Sequence, residues 1–531
     1  MLIAVIADPH LHDTSFDPRG DGSGAFRSLD DTVASTRVFN ESVPAFRAAL
    51  DDVVRRGIRH VLILGDLTDD GQEYAVSCAR KLLSEYQDRY GMRFFACVGN
   101  HDLFAMNGCH RTKVYVGGDG DHDTVTSDPS LSHDMPEAIV APPMYCKGYP
   151  SYLEMFGDLG YRRSEADFHW ESPFGHSDTA ESRTTRIAGI NGAAAMDVTD
   201  ASYLVEPVEG LWLLSLDPNV YRHSTASRSG AIDAAEAGWN AALQFKPYLL
   251  PWIADVVRRA RSLGKQLLAF SHYPVLNPLP SAEEDELALL GQSDFIRRMP
   301  RVETRKAIAE TRLGVHFSGH WHVDGIATSD DVINVAVPSL VGFPAAYKVV
   351  EVSPGTIDVE TVPLGLVPDF DMAFESYGRE VQTKSTVNGA LTSTQSYGAF
   401  LSEHIGRLAV ERYLEGEWPT DLACQVRSLT LMDVASAVGV ELNSVPNVPF
   451  QDVLADWYRL RRGGALALEY VEPRRLSLYR SLVRLYATHS FPMRSTGSAL
   501  QAFMVMLGSY IGPKTGKFSI SLVARSIHST G

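Results

Sequence analysis

The sequence predicts an α/β fold that begins with a parallel sheet. Three short apolar runs, at residues 2–7, 61–64 and 93–98, have the length and the β-branched content of buried strands. Amphipathic helix patterns at residues 43–56 and 72–89 separate them. Alternating strands and helices produce parallel strands, because each helix returns the chain to the start of the next strand. Polar residues that follow these strands are therefore expected to meet at one edge of the sheet.

The middle of the chain departs from this alternation. Residues 103–210 are rich in Gly, Asp, Pro and His, and we expect them to form an insertion that packs over the site like a lid. Strand patterns resume at residues 211–216 and 266–270. Between them, residues 231–261 are predicted to form a long helical region.

Four short β-like runs come next, and turn residues separate them. They are residues 325–328, 332–337, 347–352 and 356–362, and we expect them to form a second, antiparallel sheet. Beyond them the sequence changes to amphipathic helical patterns. We therefore predict one domain at residues 1–365, with its insertion at about 103–210, and a mainly α-helical C-terminal domain at residues 366–531 that serves packing or oligomerisation.

The charge and the cysteine content disfavour several classes of protein. The 531 residues carry 48 Lys and Arg against 65 Asp and Glu, a formal net charge of −17, without a basic tract. This disfavours non-specific nucleic-acid binding and binding to an anionic membrane. No run approaches the ~20 apolar residues of a membrane span, the N-terminus lacks a signal-peptide pattern, and the five cysteines lack a CxxC pair. These features predict a soluble cytoplasmic protein without a disulfide framework.

Five short polar segments each follow a strand-like run. They are DPH at residues 8–10, GD at 65–66, GNHD at 99–102, SH at 271–272 and GHWH at 319–322. Together they supply two carboxylates, one carboxamide and four imidazoles, which are the side chains of Asp8, His10, Asp66, Asn100, His272, His320 and His322. Such nitrogen and oxygen ligands accept Mn, Fe, Zn and Co without distinguishing among them. The set predicts two adjacent divalent metal ions.

The spacing of the segments indicates how the ligands divide. Asp8 and His10 are two residues apart, so strand alternation would point both side chains the same way. Asp66 stands alone after a glycine and is suited to bridge two ions. His320 and His322 would share a face on an extended backbone, whereas a loop could aim them at different ions.

The charge of the predicted centre favours phosphate chemistry. Only two of the seven ligands are anionic, so two divalent ions would keep a net charge of about +2. Such a centre attracts phosphate oxygens and lowers the pKa of a bound water towards ~7. A metal-dependent hydrolase is the function that these residues favour.

The order of the five segments resembles that of the calcineurin-like metallophosphoesterase superfamily. Its pattern is D-x-H, G-D, G-N-H-[DE], H and G-H-x-H, and every motif is present here within residues 1–365, the predicted catalytic domain. The resemblance implies a four-layer α/β/β/α sandwich with the site at the carboxyl ends of the strands. It also implies one ion bound by Asp8, His10, Asp66 and His322, and another bound by Asp66, Asn100, His272 and His320.

The resemblance also implies a mechanism. A hydroxide that bridges the ions would attack phosphorus, while His101 binds the phosphate and assists the leaving group, and Asp102 would orient His101. GNHD in place of GNHE is similar to the phosphodiesterase branch, so the expected small-molecule substrate is a phosphodiester, such as a cyclic nucleotide, a glycerophosphodiester or an alkyl or aryl diester. The alternatives are a phosphomonoesterase with the same site and a non-catalytic scaffold of the same fold.

Overall fold

Two large mixed sheets organise the protein, which we describe from a computed structural model. The structure describes all residues except 118–119, 228–229, 237, 280–281, 330, 384–389, 442–444, 494, 513–515, 523–525 and 530–531. In the described residues, the first sheet has seven strands in the order Ser526–Ser529, Lys517–Ser521, Thr356–Pro363, Ala346–Ser353, Leu2–Ile6, His60–Ile63 and Arg93–Ala96. The second also has seven, in the order Gly325–Ser329, Val332–Ala336, Gly314–Ser318, Gln266–Ser271, Leu211–Leu216, Tyr203–Val208 and His169–Glu171.

The predicted parallel start of the chain is confirmed. Leu2–Ile6 pairs in parallel with His60–Ile63, which pairs in parallel with Arg93–Ala96. The connecting helices are Ser42–Arg55 and Glu73–Tyr90. Each helix buries one apolar face, as its amphipathic pattern requires.

The two sheets pack against each other, and helices cover their outer faces. Alternate residues of the second sheet separate by face, as in any strand. Leu213, Phe270 and Phe317 join the core that contains the first sheet. Trp212 and Leu214 instead join a core with helix Leu249–Ser262. The predicted layering of helix, sheet, sheet and helix is therefore confirmed.

The predicted separate antiparallel sheet is wrong. Gly325–Ser329 and Val332–Ala336 form a hairpin that belongs to the second sheet, where Val332–Ala336 pairs in parallel with Gly314–Ser318. Ala346–Ser353 pairs antiparallel with Leu2–Ile6 and so belongs to the first sheet. The hairpins are local, but the sheet that each one joins is decided by long-range pairing that the sequence pattern does not encode.

The prediction of a helical region at residues 231–261, interrupted at Pro247 and Pro251, is also partly wrong. Gly230–Glu236 is a strand paired with Val220–Ser227, and only then do helices Trp239–Phe245 and Leu249–Ser262 follow. The first residues of this segment include helix-forming Ala and Glu, and tertiary pairing overrides that weak preference.

The insertion at residues 103–210 has secondary structure of its own. Its small sheets consist of Thr112–Val116, His122–Thr126 and Ile139–Val140, and of Thr184–Ile187 and Met196–Thr199. Its short helices include Leu131–Asp134 and Tyr149–Met155. His169–Glu171 and Tyr203–Val208 extend the second sheet, so the insertion is partly continuous with the core.

The C-terminal region is mainly helical, as predicted. Its α-helices are Phe374–Thr383, Tyr397–Leu408, Leu414–Gly416, Thr420–Ser428, Leu431–Ser436, Phe450–Gly463, Pro473–Thr488 and Thr496–Gly508. The chain then returns to the first sheet, where Lys517–Ser521 pairs with Thr356–Pro363. Shorter helices at Leu29–Ala34, Leu287–Leu290, Asp294–Arg298 and Val302–Glu310 lie earlier in the chain. Within the described residues, no helix has the length and apolarity that a membrane crossing requires.

Candidate metal centre

The carboxyl ends of strands from both sheets meet at the predicted site. Asp8 follows Leu2–Ile6, and Asp66 follows His60–Ile63. Asn100 follows Arg93–Ala96 in the same sheet. His272 comes directly after Gln266–Ser271 of the second sheet, and His320 and His322 follow Gly314–Ser318. The sandwich therefore brings together all seven predicted metal ligands from segments that are distant in sequence.

Five of these ligands have left-handed backbone conformations. The φ angles are 50° at Asp8, 44° at His10, 48° at Asp66, 67° at His320 and 52° at His322. Non-glycine residues pay of order 1–3 kcal/mol in such regions, and these conformations concentrate at functional sites. Asp8 and His10 thus converge because of loop geometry beyond the end of the strand at Ile6, and not because of the strand alternation that the sequence suggested.

One cluster of ligand atoms surrounds His10 and His322. Their Nε2 atoms are 3.4 Å apart. Nε2 of His322 is 3.5 Å from Oδ1 of Asp8, and Nε2 of His10 is 3.6 Å from Oδ2 of Asp66. These side chains are nearly fully buried, so the four groups enclose a small polar space.

A second cluster surrounds His272. Its Nε2 atom is 3.2 Å from Oδ2 of Asp66, 3.1 Å from Oδ1 of Asn100 and 3.2 Å from Nδ1 of His320. Asp66 Oδ2 therefore contacts both clusters. His320 and His322 face different clusters. The segment is therefore a loop that directs the two imidazoles apart, and not an extended strand that would place them on one face.

Two motif glycines allow this close approach. A Cβ atom on Gly99 would lie 2.1 Å from Oδ1 of Asp66, and one on Gly319 would lie 2.4 Å from Oδ2 of Asp8. Neither distance is sterically possible. The glycines of GNHD and GHWH are therefore required because carboxylate oxygens occupy the space that a side chain would fill.

The chemistry of the donor set fits divalent cations. Nδ1 of His272 lies 2.8 Å from the Leu64 carbonyl oxygen, to which it donates, so Nε2 is the ring nitrogen that faces the oxygens of Asp66 and Asn100. Burial lowers the pKa of His272, but Asp66 and Asp8 outweigh burial and raise it to about 9. A proton is thus held among acceptors where a cation would bind, and imidazole, carboxylate and amide ligands suit Mn, Fe, Zn or Co.

His101 lies beside these clusters and is accessible. Its ring centroid is 5.1 Å from that of His10, and its side chain is 26% exposed. The backbone N–H of His101 donates to Oδ1 of Asp66 over 2.7 Å, which fixes both residues. The ring is therefore placed to reach a substrate at the candidate centre.

The predicted role of Asp102 differs from what the structure shows. Its fully buried carboxylate accepts hydrogen bonds from the backbone N–H groups of Gly99 and Thr68, at 2.9 and 3.1 Å, and from the Thr68 hydroxyl. Burial and the nearby Asp66 carboxylate raise the pKa of Asp102. The carboxylate that contacts the His101 ring is that of Asp70, whose Oδ1 lies 2.6 Å from Nδ1. Asp102 instead holds the loop in which His101 lies, because its side chain points back to the strand ends.

This arrangement agrees with a family match at the start of the chain. Residues 1–181 match the family model described as calcineurin-like phosphoesterase. The match confirms the resemblance of the sequence motifs to this family. It supports metal-dependent hydrolysis of phosphate esters as the general activity.

Solved structures also resemble this chain at low identity. A dimetal phosphatase from Danio rerio is 13% identical, and the alignment covers 69% of this chain and 96% of the other at a TM-score of 0.37. GAP50, the anchor in the inner membrane complex of Plasmodium, is 11% identical over 69% of this chain and 86% of the other, at a TM-score of 0.28. No curated protein matches the chain. The likeness to the calcineurin-like phosphoesterases therefore rests on the match at residues 1–181, which is less than half of the chain.

Sequence reasoning missed two carboxylates beside the candidate metal centre, Asp69 and Asp70. Asp69 is fully buried, with Nζ of Lys113 at 2.6 Å and Nε of Arg37 at 3.1 Å. Asp70 contacts His101, Lys113 at 3.0 Å and Arg111 at 3.0 Å. Burial raises the pKa of each, but Lys113 and the other cations outweigh it and hold both carboxyls well below their usual range. The available signal was the spacing in GDLTDD, where two further acids follow Asp66 within four residues.

Proposed function

We propose that this chain hydrolyses phosphate esters at a centre of two divalent ions and that its preferred substrate is a phosphodiester. The position of Asp66 Oδ2 carries the proposal, because this atom lies 3.6 Å from Nε2 of His10 and 3.2 Å from Nε2 of His272. One carboxylate oxygen thus faces both clusters of ring nitrogens, as a bridging ligand must.

The contacts support a division of the ligands into two sets. We assign one ion to Asp8, His10, Asp66 and His322, and the other to Asp66, Asn100, His272 and His320. When bound, the ions would supply Lewis-acid charge for the phosphate oxygens and an acidified water for attack on phosphorus.

His101 is the group that we assign to the leaving oxygen. Its Nδ1 atom is engaged by Asp70, so Nε2 is the ring nitrogen that can donate to the substrate. The hydrogen bond from its backbone N–H to Asp66 keeps the ring close to the bridging carboxylate. His101 therefore binds the phosphate and delivers a proton to the departing oxygen.

The charge balance around His101 favours a diester over a monoester. Arg37 and Lys113 both contact Asp69, and Lys113 and Arg111 both contact Asp70. These three cations exceed the two carboxylates by only one charge, so the two metal ions would be the main source of positive charge. A monoanionic diester needs less neutralisation than a dianionic monoester, in agreement with the GNHD motif.

Two chromogenic esters test the proposal directly. We expect bis(4-nitrophenyl) phosphate to be hydrolysed with added Mn²⁺, with a kcat/KM about tenfold or more above that of 4-nitrophenyl phosphate, a difference of about 1.4 kcal/mol in transition-state stabilisation. A higher kcat/KM for the monoester would make the protein a phosphomonoesterase. Absence of hydrolysis of both esters with Mn, Fe, Zn and Co would favour the non-catalytic scaffold.

A further inference from the structure

A cavity of about 120 Å³ opens beside the candidate metal centre. His320 and His322 form one of its walls. Other walls come from the segment around Phe295 and Arg298 and from the C-terminal helix Phe450–Gly463. A group in this cavity would therefore lie directly against two of the proposed metal ligands.

The size and the lining of the cavity fit a single ring that carries a charged group. A cavity of ~150 Å³ with an apolar lining binds a benzene molecule in an engineered protein, whereas the lining here mixes aromatic side chains with charged ones. The aromatic side chains around the cavity include Phe295 and Trp321, whose ring centroids are 3.9 Å apart, and Trp457 and Tyr458, at 4.5 Å. Planar rings pack favourably against such side chains.

The lining also carries an arginine that contacts no carboxylate among the described side chains. Arg461 donates two hydrogen bonds to the carboxylate of Glu286, at 2.9 and 2.8 Å, so its positive charge is balanced. Arg298 also lines the cavity and is exposed, and no described side chain forms a hydrogen bond or an ion pair with it.

We propose that this cavity binds the organic group of the substrate, and that this group is a single planar ring with an anionic substituent that pairs with Arg298. The inference rests on the proposed hydrolysis of phosphate esters and names the substrate class for it. The ring contacts the aromatic side chains, the ester phosphate lies at the metal centre, and the second negative charge pairs with the Arg298 guanidinium. A carboxylate and a second phosphate share this chemistry.

The same walls give the C-terminal region a role beyond packing. Arg462 donates to the Trp321 carbonyl oxygen over 3.0 Å and to the Tyr413 hydroxyl over 2.8 Å. The backbone N–H of Asp324 donates to the Arg462 carbonyl oxygen over 2.8 Å. The helix that closes the cavity thus also holds the GHWH loop, so substrate selection and ligand placement share one structural element.

Binding of three small probes to the Mn²⁺-loaded full chain tests the proposal by calorimetry. The probes are 4-hydroxybenzoate, phenol, which lacks the charge, and trans-4-hydroxycyclohexanecarboxylate, which lacks the planar ring. We expect 4-hydroxybenzoate to bind about tenfold more tightly than either of the others, since one hydrogen-bonded charge pair or one aromatic contact contributes roughly this factor. Phenyl phosphonate added in a parallel titration distinguishes a phosphate-type anion from a carboxylate.

Two variants and a matched control locate the effect. Arg298→Ala is expected to remove the preference for 4-hydroxybenzoate over phenol, and Phe295→Leu to remove its preference over the cyclohexane acid. Arg297→Ala is the control, because Arg297 is the neighbouring exposed arginine of the same short helix and does not line the cavity. It should behave like the wild-type protein.

The outcomes separate this inference from the proposed function. Equal affinities for 4-hydroxybenzoate and phenol in the wild-type protein, or equal effects of Arg298→Ala and Arg297→Ala, would overturn the cavity assignment even if both nitrophenyl esters are hydrolysed. Failure to hydrolyse either ester would reject the phosphoesterase proposal, whereas the binding titrations would still decide whether the cavity takes an anionic ring.

Discussion

Oδ1 of Asp70 lies 2.6 Å from Nδ1 of His101. This contact gives the proposed proton donor a fixed orientation, because the other oxygen of Asp70 is held by Arg111 and Lys113 at 3.0 Å each. Carboxylates that hold a histidine in this way fix both its tautomer and its direction. Asp70 is therefore a positioning residue for His101.

Replacement of Asp70 by Asn should lower kcat by about 10- to 100-fold while KM and metal content stay near the wild-type values. The amide removes the charge that orients the ring without removing the ring itself. Steady-state kinetics with bis(4-nitrophenyl) phosphate and elemental analysis measure both effects. Asp88→Asn, at an exposed position of helix Glu73–Tyr90, is the control. A kcat for Asp70→Asn equal to that of the control would reject the positioning role.

His101→Ala should lower turnover by about 10²- to 10⁴-fold, the range for loss of a general acid. The metal content should stay near two ions per chain, because His101 is outside both proposed ligand sets. His133→Ala, at an exposed position in the insertion, is the matched control. Unchanged turnover would remove His101 from the mechanism.

Arg462→Ala should weaken metal binding by about tenfold or more, because it releases the carbonyl oxygen of Trp321 between two proposed ligands. Titration of the metal-free protein with Mn²⁺ measures the affinity. Arg484→Ala, on the exposed side of helix Pro473–Thr488, is the control. Identical affinities for the two variants would show that the C-terminal helix does not hold the loop.

Glu41 makes the stability of the protein depend on pH. Burial raises the pKa of the Glu41 carboxyl to about 8. Tyr377 donates a hydrogen bond to Oε1 over 3.1 Å, which lowers this pKa only in part, and no described residue forms a hydrogen bond with Oε2. The pKa in the unfolded chain is about 4.3, so the folded state binds more protons between these values. Stability is therefore expected to fall as pH rises from about 4.3 to about 8, by up to ~1.4 kcal/mol per pH unit from this group.

Glu41→Gln tests that dependence, because the amide stays neutral. The variant should match the wild-type protein in urea unfolding at pH 5 and be the more stable of the two at pH 9. Glu85→Gln, whose side chain is 42% exposed, should show no such change. A constant difference between Glu41→Gln and wild type across this pH range would reject a neutral Glu41.

The part of the site that directly follows the strand ends was predictable from the sequence. Asp8 and Asp66 follow two neighbouring parallel strands, and the carboxyl ends of such strands meet at one edge of a sheet, so the proximity of these two carboxylates was inferable. The contact between Asp70 and His101 was not, because it depends on a left-handed backbone with φ of 70° at Asp70. Local sequence does not dictate that conformation for a non-glycine residue.

The assignment of strands to sheets shows the same limit. The runs at Val332–Ala336 and Ala346–Ser353 look alike in sequence, yet they pair with different partners in different sheets. The cavity beside His320 likewise depends on Arg298 and on helix Phe450–Gly463, which approach each other only in the folded chain. Periodicity identifies elements, but long-range packing selects their partners.

The metal content of Asp66→Ala tests the central claim most directly. Wild-type protein that is incubated with Mn²⁺ and then separated from free metal should hold about two ions per chain. Asp66→Ala should hold at most about one, because the lost carboxylate serves both sites. Asp88→Ala, an exposed acid, should match the wild type. Two ions retained in Asp66→Ala would contradict the bridging role of Asp66 and the dinuclear centre built on it.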